Sequence, residues 1–181
     1  MVKKAEKNKK EIVIGVLNSA RAMELQAIHQ YMNQHYRLDD MDYGELAAQV
    51  KLIAIDEMRH AEAFAERIKE LGGEPTVDKA EPVEKGQDVD VIFSFDAGEE
   101  DKAIIAYNGF LNICRDSGDS VTAKLFEMVI DEEQAHYNYF DAVAGHISRL
   151  GAVYLAKIAG TSSATGLNTQ GFVARQGGGG A

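Results

Sequence analysis

A pattern of glutamate, tyrosine, histidine and phenylalanine occurs twice in this chain, and the second copy begins 76 residues after the first. Each copy is a Glu-x6-Tyr segment followed by a Glu-x2-His-x3-Phe segment, and the two glutamates are 33 positions apart. The first copy comprises Glu24, Tyr31, Glu57, His60 and Phe64, and the second comprises Glu100, Tyr107, Glu133, His136 and Phe140. A repeat of this size predicts two structurally equivalent halves.

The position of the repeat relative to turn-forming sequence predicts that each half is a helical hairpin. The midpoint between the two glutamates falls in 38–42 in the first copy and in 115–120 in the second, and both stretches are rich in turn-forming residues. Residues equidistant from the turn of an antiparallel hairpin lie at the same height, and helical residues three apart share a face. Two such hairpins predict an all-α, four-helix bundle with the repeated polar side chains at its centre.

Four carboxylates and two imidazoles would meet at one level of that bundle, and this set of donors suits a pair of iron ions. Glu24 interrupts an apolar helical stripe, where a charge is costly unless it is paired or bound to a metal. Any one of these residues alone would be interpreted as an exposed polar residue, and Glu99 and Glu132 are alternatives beside two of them. The repeat favours as ligands Glu24, Glu57, His60, Glu100, Glu133 and His136.

Helical periodicity and glycine or proline breaks predict the limits of the elements. The four main helices are expected at about 11–37, 43–71, 96–116 and 120–150, with a short fifth helix at 153–159. Residues 1–10 are expected to form a solvated segment before the first helix. The connection 73–95, in which 89–95 could be extended, is long enough for the third helix to run parallel to the second. We therefore expect one domain at 1–160 and a flexible tail, rich in Gly, Ser and Thr, at 161–181.

Composition narrows the range of functions. The formal net charge of -10 argues against nucleic acid as a partner. No apolar run approaches the length of a membrane span, and the N-terminus does not resemble a signal peptide, so a cytoplasmic location is expected. Cys114 is the only cysteine, which excludes a disulfide framework and a Cys-x2-Cys metal site.

Three further residues have two interpretations each. Tyr31 and Tyr107 either donate hydrogen bonds to metal-bound carboxylates or pack in the core.

Met58 follows Glu57 directly, so the two side chains point about 100° apart around the helix. A methionine outside the core usually fills gaps or forms a contact surface, although its sulfur can also bind haem iron.

Three segments strongly resemble bacterioferritin, and the resemblance extends over about 11–160. They are residues 23–31 (MELQAIHQY), 55–62 (IDEMRHAE) and 66–75 (ERIKELGGEP), and the likeness is closest to bacterioferritins of sulfate-reducing bacteria. The resemblance implies a ferritin-like bundle with one long crossover, in a shell of 24 subunits that oxidises and stores iron. It also implies a haem-type porphyrin between paired subunits, held by one methionine from each, and Met58 stands at that position.

The resemblance also implies roles at the di-iron site. Glu57 and Glu133 would bridge two irons, and each iron would have one terminal glutamate and one histidine. The expected function is a ferroxidase using dioxygen or peroxide, with the haem accepting electrons from a small donor protein to release iron. Leu52 departs from members that carry a histidine there, which argues against a histidine gate. The alternatives are a rubrerythrin-like di-iron peroxidase and a haem electron-transfer shell.

Overall fold

Four long helices and two short ones make up the described part of the chain. The structure is a computed structural model that describes residues 2–166 and 170–177. The helices are α1 (Val2–Asp40), α2 (Gly44–Glu70), α3 (Val89–Ser117), α4 (Ser120–Leu150), α5 (Ala152–Ile158) and α6 (Phe172–Gly177). The predicted all-α fold with a short fifth helix is confirmed. Within the described residues, no helix combines the length and the apolar character needed to cross a membrane.

Hydrogen bonds between side chains define the direction of the helices. Tyr31 on α1 contacts Glu100 on α3, and Tyr107 on α3 contacts Glu24 on α1, so these two helices are antiparallel. Short turns make α1 antiparallel to α2 and α3 antiparallel to α4. The second and third helices are therefore parallel, as the long crossover predicted. This crossover lies along α1, where Arg21 and Asn18 hydrogen-bond to the backbone of Thr76.

Two predicted helix starts are wrong. The helix α3 begins at Val89, seven residues before the predicted start, and the expectation of an extended segment at 89–95 fails. Ile92, Phe93 and Asp96 are buried at spacings of one and three, so the apparent alternation belongs to one face of a helix. The helix α1 begins at Val2 instead of about residue 11, because residues 1–10 contain no helix breaker even though residues 7–10 are exposed.

The apolar core is divided into two clusters. One cluster includes Leu38, Val50 and Phe93, and the other includes Leu17 and Phe126. The polar residues of the repeat lie between the two clusters, each cluster including one of the repeat tyrosines. The helices therefore enclose a polar layer near the middle of the bundle.

The described part of the C-terminal segment packs on the bundle, which differs from the predicted flexible tail at 161–181. The Thr161 hydroxyl accepts a hydrogen bond from the backbone N–H of Glu45 at 2.8 Å. Further along, α6 contacts α2 and α4, and Phe172 is buried in the core. One aromatic side chain thus provides apolar contact that the Gly, Ser and Thr content obscured. Residues 167–169 and 178–181 lie outside the described residues.

Candidate di-metal centre

All six predicted ligands come together in the polar layer of the bundle. They are at most 3% exposed. Their donor atoms form two groups, and within each group all atoms lie within 4.8 Å of one another. The first group comprises Glu24, Glu57, His60 and Glu133, and the second comprises Glu57, Glu100, Glu133 and His136. Each group offers three carboxylates and one imidazole, which suits one metal ion.

The two central glutamates belong to both groups. His60 Nδ1 lies 2.9 Å from one oxygen of Glu57 and 3.3 Å from one oxygen of Glu133. His136 Nδ1 lies 3.0 Å from the other oxygen of each of these carboxylates. Each central carboxylate therefore directs one oxygen toward each histidine, which is the arrangement required of a bridging ligand.

The remaining nitrogen of each imidazole faces an acidic residue that is not among the six. His60 Nε2 lies 3.0 Å from Glu132 Oε2, and His136 Nε2 lies 3.4 Å from Asp56 Oδ2. Carboxylates in this position orient a metal-binding histidine and select the tautomer whose Nδ1 can bind. Sequence reasoning considered Glu132 only as an alternative ligand and did not identify Asp56. The missed signal was an acidic residue directly before each Glu-x2-His step.

The two tyrosines of the repeat hold the outer carboxylates. Tyr31 donates a hydrogen bond to Glu100 Oε1 at 2.6 Å, and Tyr107 donates one to Glu24 Oε1 at 2.5 Å. Burial raises the pKa of both phenols well above the ordinary value, and the nearby carboxylates add to the rise. Both phenols therefore stay protonated and act as donors. This supports the hydrogen-bonding interpretation over simple core packing.

The charges within the centre fall into a definite pattern. Burial raises the pKa values of Glu24 and Glu100, and repulsion by the two central carboxylates adds to the rise. Burial also opposes ionisation of Glu57 and Glu133, but the adjacent imidazoles hold their pKa values below the ordinary value. Burial alone would lower the histidine pKa values, yet the surrounding carboxylates raise both well above normal. Without a metal, two imidazolium groups thus neutralise the central carboxylates.

We expect the melting temperature of the metal-free protein to fall as the pH is raised above about 6.5, because folding raises the pKa values of His60 and His136. A histidine whose pKa is raised by folding stabilises the protein fully below its unfolded pKa of about 6.5, and this stabilisation is lost as the pH rises through the folded pKa. Bound Zn(II) should reverse the trend, since a metal replaces those protons. Calorimetry with chelator and with Zn(II) measures this. A variant combining His60→Gln with His136→Gln should flatten the metal-free dependence, and a rising melting temperature in the metal-free protein would contradict the assignment.

The donor chemistry of the centre fits iron. Carboxylate oxygens and imidazole nitrogens are ligands that iron accepts, and the described residues provide no thiolate here. One buried oxygen, Glu57 Oε1, makes no hydrogen bond although it lies 3.0 Å from His136 Nδ1. A buried carboxylate oxygen without a hydrogen bond is costly unless a cation satisfies it.

A cavity of about 330 Å³ adjoins the centre on the side formed by α1 and α3. Its inner wall includes the ligands Glu24 and Glu100 together with both repeat tyrosines. Its outer wall includes Glu81 of the crossover, Glu99 and Lys102. The cavity provides space for small solutes beside the carboxylates.

Met58 lies on a different face of α2 from the ligands of the centre. Its side chain is 43% exposed, whereas the preceding Glu57 is 1% exposed. The outward direction predicted from the sequence is therefore observed. Porphyrin binding by Met58 stays a prediction.

Four carboxylates and two imidazoles in the core of a four-helix bundle define the ferritin-like class of di-metal proteins. The family model of the ferritin-like domain matches residues 14–150. A bacterioferritin of Desulfovibrio desulfuricans is 65% identical over 92% of this chain and 93% of its own length. The chain belongs to the bacterioferritin family.

Solved structures agree with this assignment. A crystal structure of the Desulfovibrio desulfuricans bacterioferritin, described as showing the diiron site in different catalytic states, is 64% identical with a TM-score of 0.89 and covers 92% of this chain and 98% of that chain. The bacterioferritin of Rhodobacter capsulatus is 28% identical with a TM-score of 0.79, covering 84% of this chain and 96% of that chain. That structure is described as having a metal-free dinuclear site and haem iron in a crystallographic special position.

Proposed function

We propose that the centre is a ferroxidase site, at which two Fe(II) ions are oxidised before Fe(III) is stored as mineral inside a shell of 24 copies of this chain. The sharing of Glu57 and Glu133 between the two groups of donor atoms carries this proposal. Two ions held by common carboxylates can deliver two electrons to one oxidant. The diiron site of the Desulfovibrio desulfuricans relative, observed in catalytic states, supports the same assignment.

The contacts of each residue support a role for it in this proposal. Glu57 and Glu133 bridge the two irons, while Glu24 and Glu100 each bind one iron and are held by a tyrosine. His60 and His136 each bind one iron through Nδ1 and lose a proton when the ion arrives. Carboxylates are hard ligands and stabilise Fe(III) relative to Fe(II). The bound Fe(II) therefore passes electrons to dioxygen or peroxide.

A haem-type porphyrin shared by two subunits completes the proposal. Met58 is exposed on a long helix, and a two-fold axis would bring it opposite its own copy. The haem iron of the Rhodobacter capsulatus relative occupies a special position in its crystal, which supports a symmetric site. The porphyrin would carry electrons from a small donor protein toward the stored Fe(III).

Anaerobic addition of Fe(II) to metal-free protein, followed by mixing with dioxygen or hydrogen peroxide, tests the ferroxidase. We expect a fast absorbance increase that saturates at two Fe(II) per chain. Repeated additions followed by gel filtration should then leave thousands of iron atoms in each particle. Retention of only two per chain would contradict storage and favour a peroxidase or an electron-transfer shell. The faster of the two oxidants identifies the one used.

A further inference from the structure

The C-terminal segment reaches one half of the di-metal centre. The backbone N–H of Val173 donates a hydrogen bond to Asp56 Oδ2 at 2.9 Å. The same oxygen lies 3.4 Å from His136 Nε2. One carboxylate oxygen therefore connects the tail to the imidazole.

Phe172 covers the same histidine. Its ring centre lies 6.0 Å from that of His136 at an interplanar angle of 64°, and 5.0 Å from that of Tyr139. Phe172 is 3% exposed, so the contact excludes water from this side of the imidazole. The hydrogen bond between Asp56 and His136 consequently lies in a dry environment, where it is stronger.

Gly171 allows this close approach. A Cβ atom at position 171 would lie 1.7 Å from Asp56 Oδ1, so any larger residue must displace the carboxylate or the tail. The backbone φ of Gly171 is outside the positive region that favours glycine, so other residues could adopt it. Space beside Asp56, and not backbone freedom, is what requires glycine here.

The other half of the centre provides an internal comparison. Glu132 faces His60 Nε2 at 3.0 Å, in the same way that Asp56 faces His136. The Glu132 side chain is 33% exposed, whereas the Asp56 side chain is 2% exposed. The two equivalent acidic residues therefore differ in exposure, and the tail contributes contacts at Asp56 through Val173 and Gly171.

We propose that residues 171–173 form a positioning segment for metal binding, which fixes Asp56 and through it holds His136 ready to bind one of the two metal ions. This inference rests on the proposed ferroxidase function. The segment touches neither metal nor substrate and acts only through Asp56 and the His136 ring. Loss of a partner that orients a metal ligand typically weakens metal binding by about 10- to 100-fold. The tail should therefore matter to one ion more than to the other.

Calorimetric titration of the metal-free protein with Co(II), which needs no oxidant, tests the inference. Gly171→Ala should weaken one of two Co(II) sites by about 10- to 100-fold and leave the other unchanged. Gly109→Ala is the matched control, because it adds the same methyl group to open space on α3. Circular dichroism melting verifies that both variants are folded.

Two further backgrounds assign the weakened site. In a His136→Gln background, Gly171→Ala should cause no additional change. In a His60→Gln background, it should weaken the remaining site. A purely structural effect of the substitution would weaken binding equally in both backgrounds and would overturn the inference. Truncation after Gly166 removes the segment altogether and should weaken the same site. This second variant tests the inference if the Gly171→Ala protein folds poorly.

The outcomes separate this inference from the proposed function. If the wild-type protein binds no pair of Co(II) ions, the ferroxidase proposal fails. If the truncated chain binds both Co(II) ions as tightly as the wild-type chain does, the positioning role of residues 171–173 is refuted while the ferroxidase proposal stands. If only the site containing His136 weakens, both are supported.

Discussion

Glu57→Gln combined with Glu133→Gln should reduce the rate of Fe(II) oxidation by at least about 100-fold while the chain remains folded. Each of these residues belongs to both groups of donor atoms. The double substitution therefore removes two charged ligands from each metal position. Even the loss of a residue that only orients a ligand costs about 10- to 100-fold, and these two are direct ligands in the proposal. Stopped-flow absorbance after mixing with dioxygen measures the rate.

The double variant should also fold without metal. Glutamine keeps the volume of glutamate, so no cavity forms, and the imidazoles can become neutral because the carboxylates that raise their pKa values are gone. Glu66→Gln combined with Glu127→Gln is the control, since both residues are exposed members of surface ion pairs on α2 and α4. The control should oxidise iron at the wild-type rate. A wild-type rate in the Glu57 and Glu133 variant would refute the site assignment.

Met58→Leu should eliminate the porphyrin spectrum and leave Fe(II) oxidation unchanged. Leucine keeps most of the apolar contact but has no sulfur to bind haem iron. The di-metal centre lies on a different face of α2, since Glu57 is buried and Met58 is exposed. One substitution should therefore separate porphyrin binding from Fe(II) oxidation.

Visible absorption of protein purified with haem measures this effect. Met128→Leu is the matched control, because Met128 is also an exposed methionine on a long helix and is 51% exposed. It should retain the full porphyrin content. A Met58→Leu protein with an unaltered low-spin spectrum would refute the haem assignment and leave Met58 as a contact residue.

The sequence predicted the centre well because its residues are periodic. The repeat placed Glu24 and Glu57 at equal distances from a turn, and the structure brings their side chains into one group of donor atoms. The roles of these residues as ligands stay a prediction until they are tested. Asp56 was missed although an acidic residue precedes both Glu-x2-His steps, because that pattern does not tell which imidazole the residue faces. Only the packing of the bundle shows that Asp56 faces His136.

The C-terminal segment was harder to predict for a physical reason. Its contacts depend on single residues: the backbone N–H of Val173, the ring of Phe172 and the space left by Gly171. Glycine-rich composition alone indicates flexibility. Contacts with distant parts of the chain can still order such a segment, and sequence periodicity does not report them.

The crosswise tyrosine bonds also determine how the two hairpins are aligned along the bundle axis. Tyr31 meets Glu100 while Tyr107 meets Glu24, so the two bonds hold one alignment from both directions. A slip of one helical turn, about 5.4 Å, would break both bonds and move buried carboxylates into apolar clusters. Leucine-rich surfaces alone would tolerate such a slip more easily. The polar layer thus specifies the register of the hairpins before any iron arrives.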